Sequence, residues 1–248
     1  MRRARGLLFA AALVVGLGAM RAEAPAAQDP FERSAGLIGL LPLPEVFGES
    51  VCTPFQPKPI PLFATATATA PIGEIRVTKP WRFAPEGGCE GLEVRVFHGD
   101  VAATELPILE YGYEEVAAIV LARSAGRAQI ALASGVAWLA EGDSPRFIPV
   151  ERLLAEGLTY LRSGALALLR RAPVLDASRI DLTGATDPEL IVRTLETRRV
   201  AGALWVRVTL LEENDCTGER TGVRADTAWV PFHGADRRPT VWFYSRGC

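Results

Sequence analysis

Histidine occurs twice in this 248-residue chain, at His98 and His233, and lysine twice, at Lys58 and Lys79, so 25 of the 27 basic side chains are arginine. Both histidines stand beside glycine at the ends of predicted strands, in "FHGD" and "FHGAD", where a turn histidine is solvated. A zinc site needs three or four convergent ligands, and Asp100 or Asp236 nearby is too common a neighbour to supply one. No metal and no cofactor are therefore expected. The chain also lacks a glycine-rich phosphate loop, a Gly-x-Ser-x-Gly elbow and a His-Glu-x-x-His helix, the short motifs that would announce nucleotide, acyl-transfer or metalloprotease chemistry. The carboxylates of "LLEENDCTGE" read as a solvated acidic turn.

After the first twenty residues no apolar run is long enough to cross a bilayer. The opening "MRRARGLLFAAALVVGLGAM" has three arginines and then an apolar stretch, followed by the small-residue pattern "RAEAPAAQ". That order is a secretory signal peptide over residues 1–24, with cleavage after Ala24 or Ala27. No stable membrane insertion is expected once it is removed. The mature chain then carries 23 basic and 28 acidic side chains, a formal charge of −5, which argues against nucleic acid or anionic lipid as a partner. The arginine bias and abundant alanine accord with a GC-rich bacterial genome, so the expected location is the periplasm or the medium.

All four cysteines, Cys52, Cys89, Cys216 and Cys248, lie in the mature part. An even number in an exported chain reads as disulfides. Three pairings are open; the favoured one is Cys52–Cys89 with Cys216–Cys248, each local to one half of the chain. Loops of that size stabilise by about 3–4 kcal/mol each on the chain-entropy estimate.

Residues 25–50 read as a leader or connector with a short helix, starting at Asp29-Pro30 and ended by Pro42 and Pro44. From 51 to 148 the texture is short strands and turns. Thr65, Thr67 and Thr69 alternate with alanines, which predicts an extended segment with its threonines on one face. Leu92, Val94 and Val96 share a face of another strand. "YGYEEVAAIVLARSAGRAQIALASGVAWLAEGD" predicts three strands separated by Ser-Ala-Gly and Ser-Gly turns, a meander. Residues 149–163 are the predicted linking helix, with Pro149 first, Glu151 at its positive end and a stripe of Leu153, Leu154, Leu158 and Leu161; Gly157 is a possible early end. Residues 164–248 repeat the strand texture: "ALALLRRAPVLDASRIDLTG" as strand and loop, then a hairpin over Ala201-Gly202. In that hairpin Leu204, Val206, Val208 and Leu210 face one way and Trp205, Arg207 and Thr209 the other. Asp187-Pro188-Glu189 keeps helix open for 188–197.

Three steps, "LLRRAP", "VAGALWVRV" and "DTAWVPF", resemble in order the arginine-and-proline strand, the Gly-x-x-Trp-x-x-Val step and the closing Gly-Trp-Val step of bacterial SH3-like domains. "VLARSAGRAQIALASGVAWLAE" resembles a shorter version, with Arg127-Ala128 where tryptophan is usual, and 57–98 a weaker copy. Thr227-Ala228 replaces the glycine before Trp229, and the cysteines are additional. The resemblance implies an all-β chain with minor helix: two or three small SH3-like five-stranded barrels, disulfide-bonded and joined by a short helix. It also implies envelope binding, with a cell-wall peptide, a peptidoglycan stem or an envelope protein as partner.

Trp242 and Tyr244 share a face opposite Val241 and Phe243, while Trp229 and Phe243 are assigned to the core. Trp205, Arg207, Trp242 and Tyr244 are the candidate ligand-binding residues, since an aromatic strip outside a barrel receives extended peptides; packing against a neighbouring unit is the alternative use of the same rings. The second functional reading is enzymatic. "FHGADRRPTVWFYSRGC" is similar to the catalytic segment of L,D-transpeptidases, which would make Cys248 the nucleophile and His233 its base. Arg246 stands where that segment has histidine, and the terminal carboxylate beside the thiol would raise its pKa. The expectation is therefore a non-enzymatic protein.

Overall fold

The computed structural model describes residues 31–48, 56–80, 82–83, 89–112, 115–142, 146–155, 158–162, 164–180, 182, 190–213, 216–218, 220–221 and 226–246. In chain order the strands begin with β1 (Gly39–Pro42), β2 (Ile60–Leu62), β3 (Gly73–Lys79), β4 (Arg82–Phe83), β5 (Cys89–Glu90) and β6 (Glu93–His98). They continue with β7 (Val101–Glu105), β8 (Ile108–Gly112), β9 (Glu115–Ser124), β10 (Arg127–Ala131), β11 (Val136–Ala140) and β12 (Ile148–Pro149). The last are β13 (Thr159–Leu161), β14 (Leu190–Val200), β15 (Ala203–Leu210), β16 (Asp226–Pro231) and β17 (Val241–Phe243). Two short helices, α1 (Pro44–Phe47) and α2 (Val150–Ala155), and a 3-10 turn at Ala165–Leu168 complete the list of elements.

The chain is mostly β, in several antiparallel sheets, and among the described residues none closes into a barrel. A central sheet runs β11-β10-β9-β1-β12, with β8 also on β9. Its middle strands show no polar alternation because both faces are covered. Leu40, Ala117 and Ile119 enter one buried cluster with α2 and the C-terminal sheet; Leu41, Ala118 and Val120 enter another with Leu62, Ile75 and Val96 from the sheet β2-β3-β6-β7. The result is three β layers enclosing two cores. Two-sided burial makes a strand read as a continuous apolar run, and a side chain such as Ile119, fully buried, contributes about 1.5–3 kcal/mol. The tight β1–β12 crossing requires Gly39, where a Cβ would lie 2.3 Å from the Ile148 carbonyl oxygen and 2.5 Å from the Phe147 ring.

The three-strand meander appears as β9, β10 and β11, but as part of this open central sheet. β1, inside the stretch read as a connector, sits between β9 and β12. Phe31–Gly36 forms turns, and Pro44 begins a helix instead of ending one. The threonine segment is a bend, not a strand. Arg127 folds it by donating from Nη1 to the Thr65 and Ala68 carbonyls, at 3.1 and 2.7 Å, while its guanidinium lies 3.8 Å from the Phe63 ring centroid. Leu92, Val94 and Val96 pack into one cluster, as their spacing predicts.

The predicted helix over 149–163 is shorter. α2 stops at Ala155, and Thr159–Leu161 is instead β13, captured by backbone pairing to β14 on one side and β17 on the other. Residues 190–200 are strand, so the helical option at 188–197 fails over its described part. The predicted strand in "ALALLRRAP" is a 3-10 turn followed by Arg170, which pairs with Trp229 through two backbone bonds of 2.8 Å. The hairpin over Ala201-Gly202 is present, with both turn residues at positive φ, +49° and +83°, the geometry of a two-residue I′ turn.

The C-terminal sheet runs β16-β15-β14-β13-β17. Its two edges approach each other through a Thr240 N–H to Phe232 carbonyl bond of 2.8 Å and a bridge between His233 and Pro239. Leu204, Val206, Val208 and Leu210 line its core face, as the alternation predicts. Residues 1–30, with the signal-peptide reading, and Cys52 and Cys248 lie outside the described residues, as does the side chain of Cys89. Among the described residues no helix is long and apolar enough to cross a membrane.

Candidate functional site

The outer face of the C-terminal sheet can be laid out from its register. Directly opposed residues share a face, so Arg198, Trp205 and Pro231 form one row across β14, β15 and β16, and Glu196, Arg207 and Trp229 form the next. Beyond the first row lie Val200 and Ala203 at the hairpin tip and His233 past the end of β16.

A groove of about 580 Å³ opens on this face. Trp205, Ala203 and Pro231 contribute its sheet side, and Leu168, Pro173, Val174 and Leu175 come from the long connection between β13 and β14. Trp205 is only 2% exposed, whereas Val174 and Leu175 are 40% and 73% exposed. The tryptophan is thus a buried base, and the exposed surface is aliphatic. A cavity of this size with few polar groups suits an apolar side chain or a short peptide stretch.

Arg170 holds the connection in place. It is 6% exposed, and its guanidinium donates to the carbonyls of Leu175, Ala167 and Leu169 at 3.2, 3.1 and 3.0 Å. The arginine of "LLRRAP" therefore fixes both the end of the 3-10 turn and the residue that carries the most exposed side chain of the groove.

His233 also lines the groove. Its Nε2 is 2.9 Å from the Leu37 carbonyl oxygen, so Nε2 carries the proton and donates. Burial lowers its pKa from the ordinary 6.5, the Leu37 bond opposes that shift, and Arg237 and Arg199 lower it further. The imidazole is neutral at pH 7, leaving Nδ1 as an acceptor.

The four residues predicted from sequence do not form one patch. Trp205 lines the groove and Arg207 lies one row away, 3.6 Å from Glu196. Trp242 is 4% exposed and meets Phe31 edge-on, with centroids 5.3 Å apart. Tyr244 packs on Tyr160 at 4.8 Å, and its N–H donates to Leu158. The Trp242 ring joins the C-terminal sheet to the N-terminal segment, whereas Tyr244 packs on β13 within the sheet. The N-terminal segment seals that junction: Arg162 lies over Phe31 at 4.2 Å, and the Gly36 N–H donates to the Arg237 carbonyl at 2.7 Å.

Sequence reading missed Pro231, Val174, Leu175 and His233 as a group. The apolar triplet Pro173-Val174-Leu175 inside a polar loop was the available signal. In the transpeptidase-like segment, Arg246 Nε donates to Glu110 at 2.8 Å, Ser245 Oγ donates to the same carboxylate at 3.1 Å, and His233 is engaged with Leu37. Cys248 lies outside the described residues. A second cavity, about 230 Å³, sits between β1 and β2; its Glu45 pairs with Arg146, and its Glu141 is clamped by Arg123 at 2.7 and 2.5 Å. Among the described residues no group of three or more His, Cys, Asp or Glu could hold a metal. Compared with family models, curated proteins and solved structures, the chain matches none.

Proposed function

We propose that this is an exported, non-enzymatic binding protein of the bacterial envelope, whose C-terminal unit is SH3-like and docks an extended peptide of an envelope partner over Trp205. The observation that carries the reading is the apolar groove, open to solvent and floored by a fixed tryptophan. Its five antiparallel strands and the approach of its edges at Phe232 and Thr240 support a five-stranded SH3-like unit. The proposed disulfides are Cys52–Cys89 and Cys216–Cys248, the second fastening the loop after β15 to the chain's last residue.

The test uses the exported, unreduced protein and its Leu175→Glu variant, titrated with a pool of apolar hexapeptides and separately with a disaccharide-tetrapeptide muropeptide. Indole resonances report binding. A saturable shift of Trp205 with the hexapeptides, lost in the variant while its remaining spectrum is unchanged, supports the reading. Response to the muropeptide alone would assign the groove to peptidoglycan, and response to neither would refute a binding role for it.

A further inference from the structure

The second row of the outer face, Glu196 with Arg207, draws in the Arg198 side chain from the Trp205 row and bears an unequal set of charges. Arg198 and Arg207 both approach Glu196, each at 3.6 Å, and it is the carboxylate they share. One carboxylate between two guanidiniums leaves a positive charge uncompensated. Both arginines are accessible, at 56% and 41% side-chain exposure, and the Arg198 guanidinium rests 5.2 Å from the Trp229 ring centroid. This row is two residues along the strands from the Trp205–Pro231 row of the groove, a step of about 7 Å. That is the spacing between a side chain and the backbone or side-chain carboxylate of the next residue in an extended peptide.

Resting on the groove reading, we propose that the ligand class is an acidic one: a peptide that places an aliphatic side chain over Trp205 and an adjoining carboxylate between Arg198 and Arg207. The cation excess is local, on a chain whose net charge is negative, so it is not a by-product of a generally basic surface. The far end of the groove offers no competing cation on its lining, because His233 is neutral there. Arg207 and Arg198 therefore set the polarity in which the peptide lies. Arginine suits this role because its planar fork meets a carboxylate through two parallel N–H donors. Glu196 acts as an internal competitor that keeps both guanidiniums aligned until the ligand's carboxylate displaces it.

The proposal is tested with N-acetyl-leucyl-glycine and N-acetyl-leucyl-glycinamide, which differ only in the charge of interest and carry it on the residue after leucine, titrated into the intact exported protein and followed at the indole and imidazole resonances. The acid is expected to bind about fivefold more tightly than the amide at low ionic strength, the scale of one exposed charge contact, and the preference should vanish at high salt. Arg198→Gln and Arg207→Gln should each reduce it. Glu196→Gln should increase acid binding without changing amide binding, an effect that a merely structural ion pair would not produce. Equal binding of acid and amide would overturn the carboxylate assignment while leaving the groove intact. Binding of neither would overturn both readings, and acid binding unaffected by all three substitutions would place the carboxylate elsewhere.

Discussion

Arg170 offers a direct test of how the groove is built. It is a cation with 6% exposure that donates to three main-chain carbonyls. Replacement by methionine preserves much of the volume and removes all three donors. The Leu169 carbonyl keeps a second donor, Ile180 N–H at 3.3 Å, and Leu175 is exposed enough for water to replace the lost bond. Ala167 is exposed as well, so water can reach its carbonyl too. Each hydrogen bond from a charged donor is worth about 1.5–3 kcal/mol, but water replaces part of that and removing a buried guanidinium also relieves its desolvation. The net loss expected for Arg170→Met is about 2–4 kcal/mol, a fall of about 1–2 M in urea midpoint for a slope near 2 kcal/mol/M. Arg170→Lys, lacking the planar fork, should lie between. Denaturation followed by tryptophan fluorescence measures both, since Trp229 is paired to Arg170 through the backbone. A midpoint within about 0.3 M of the wild type for Arg170→Met would show that the carbonyl cage contributes little, and the account of the groove wall would fall.

Ala125 and Gly126 form the two-residue turn between the paired Ser124 and Arg127, both at positive φ, +51° and +71°, and Ala125 is exposed; Ala125→Asn should stabilise by about 0.5–1 kcal/mol in thermal melts, and a loss would contradict this left-handed turn. Gly39→Ala forces a Cβ against the Ile148 carbonyl oxygen at 2.3 Å and should cost about 1–3 kcal/mol, read as a lower urea midpoint. His233 has a folded-state pKa below its unfolded value of 6.5, so the unfolded chain binds its proton first as pH falls. Stability contributed by the neutral ring is complete above 6.5 and is lost between 6.5 and the lower folded pKa. His233→Gln should therefore flatten the stability profile between pH 7 and 5.5 relative to wild type, and identical profiles would refute the assignment.

Local signals were legible where one face of a strand is core and the other is not. The alternation over 203–210 and the Ala-Gly turn before it gave the hairpin correctly, because register and turn type agree there. β1 and β9 were harder. Ala117 and Ala118 both carry core contacts, in opposite directions, and an alanine pair has no visible period. The helix over 149–163 failed at Thr159–Leu161 because pairing with both β14 and β17 satisfies the backbone of those residues more fully than continuing a short helix would. The bend at 64–70 was invisible for a different reason: it depends on Arg127, about sixty residues away, and on a ring at Phe63.

The candidate site shows the same division. Trp205 was identifiable from its position opposite three core residues, yet the strip it was thought to form with Trp242 and Tyr244 divides into two uses. Phe31 closes over Trp242 from the N-terminal segment, and Tyr160 of β13 closes over Tyr244 within the sheet, so both rings are engaged inside the protein. Trp205 escapes this because the segment crossing its face, Pro173–Leu175, is held at the edge by Arg170 and does not pack flat on the sheet. What converts a buried tryptophan into a groove is therefore the length of the connection between β13 and β14 and the single cation that suspends it. On that argument the ring sets where a ligand can sit, the aliphatic wall sets how tightly, and Arg198 beside the ring with Arg207 in the next row set in which direction it runs.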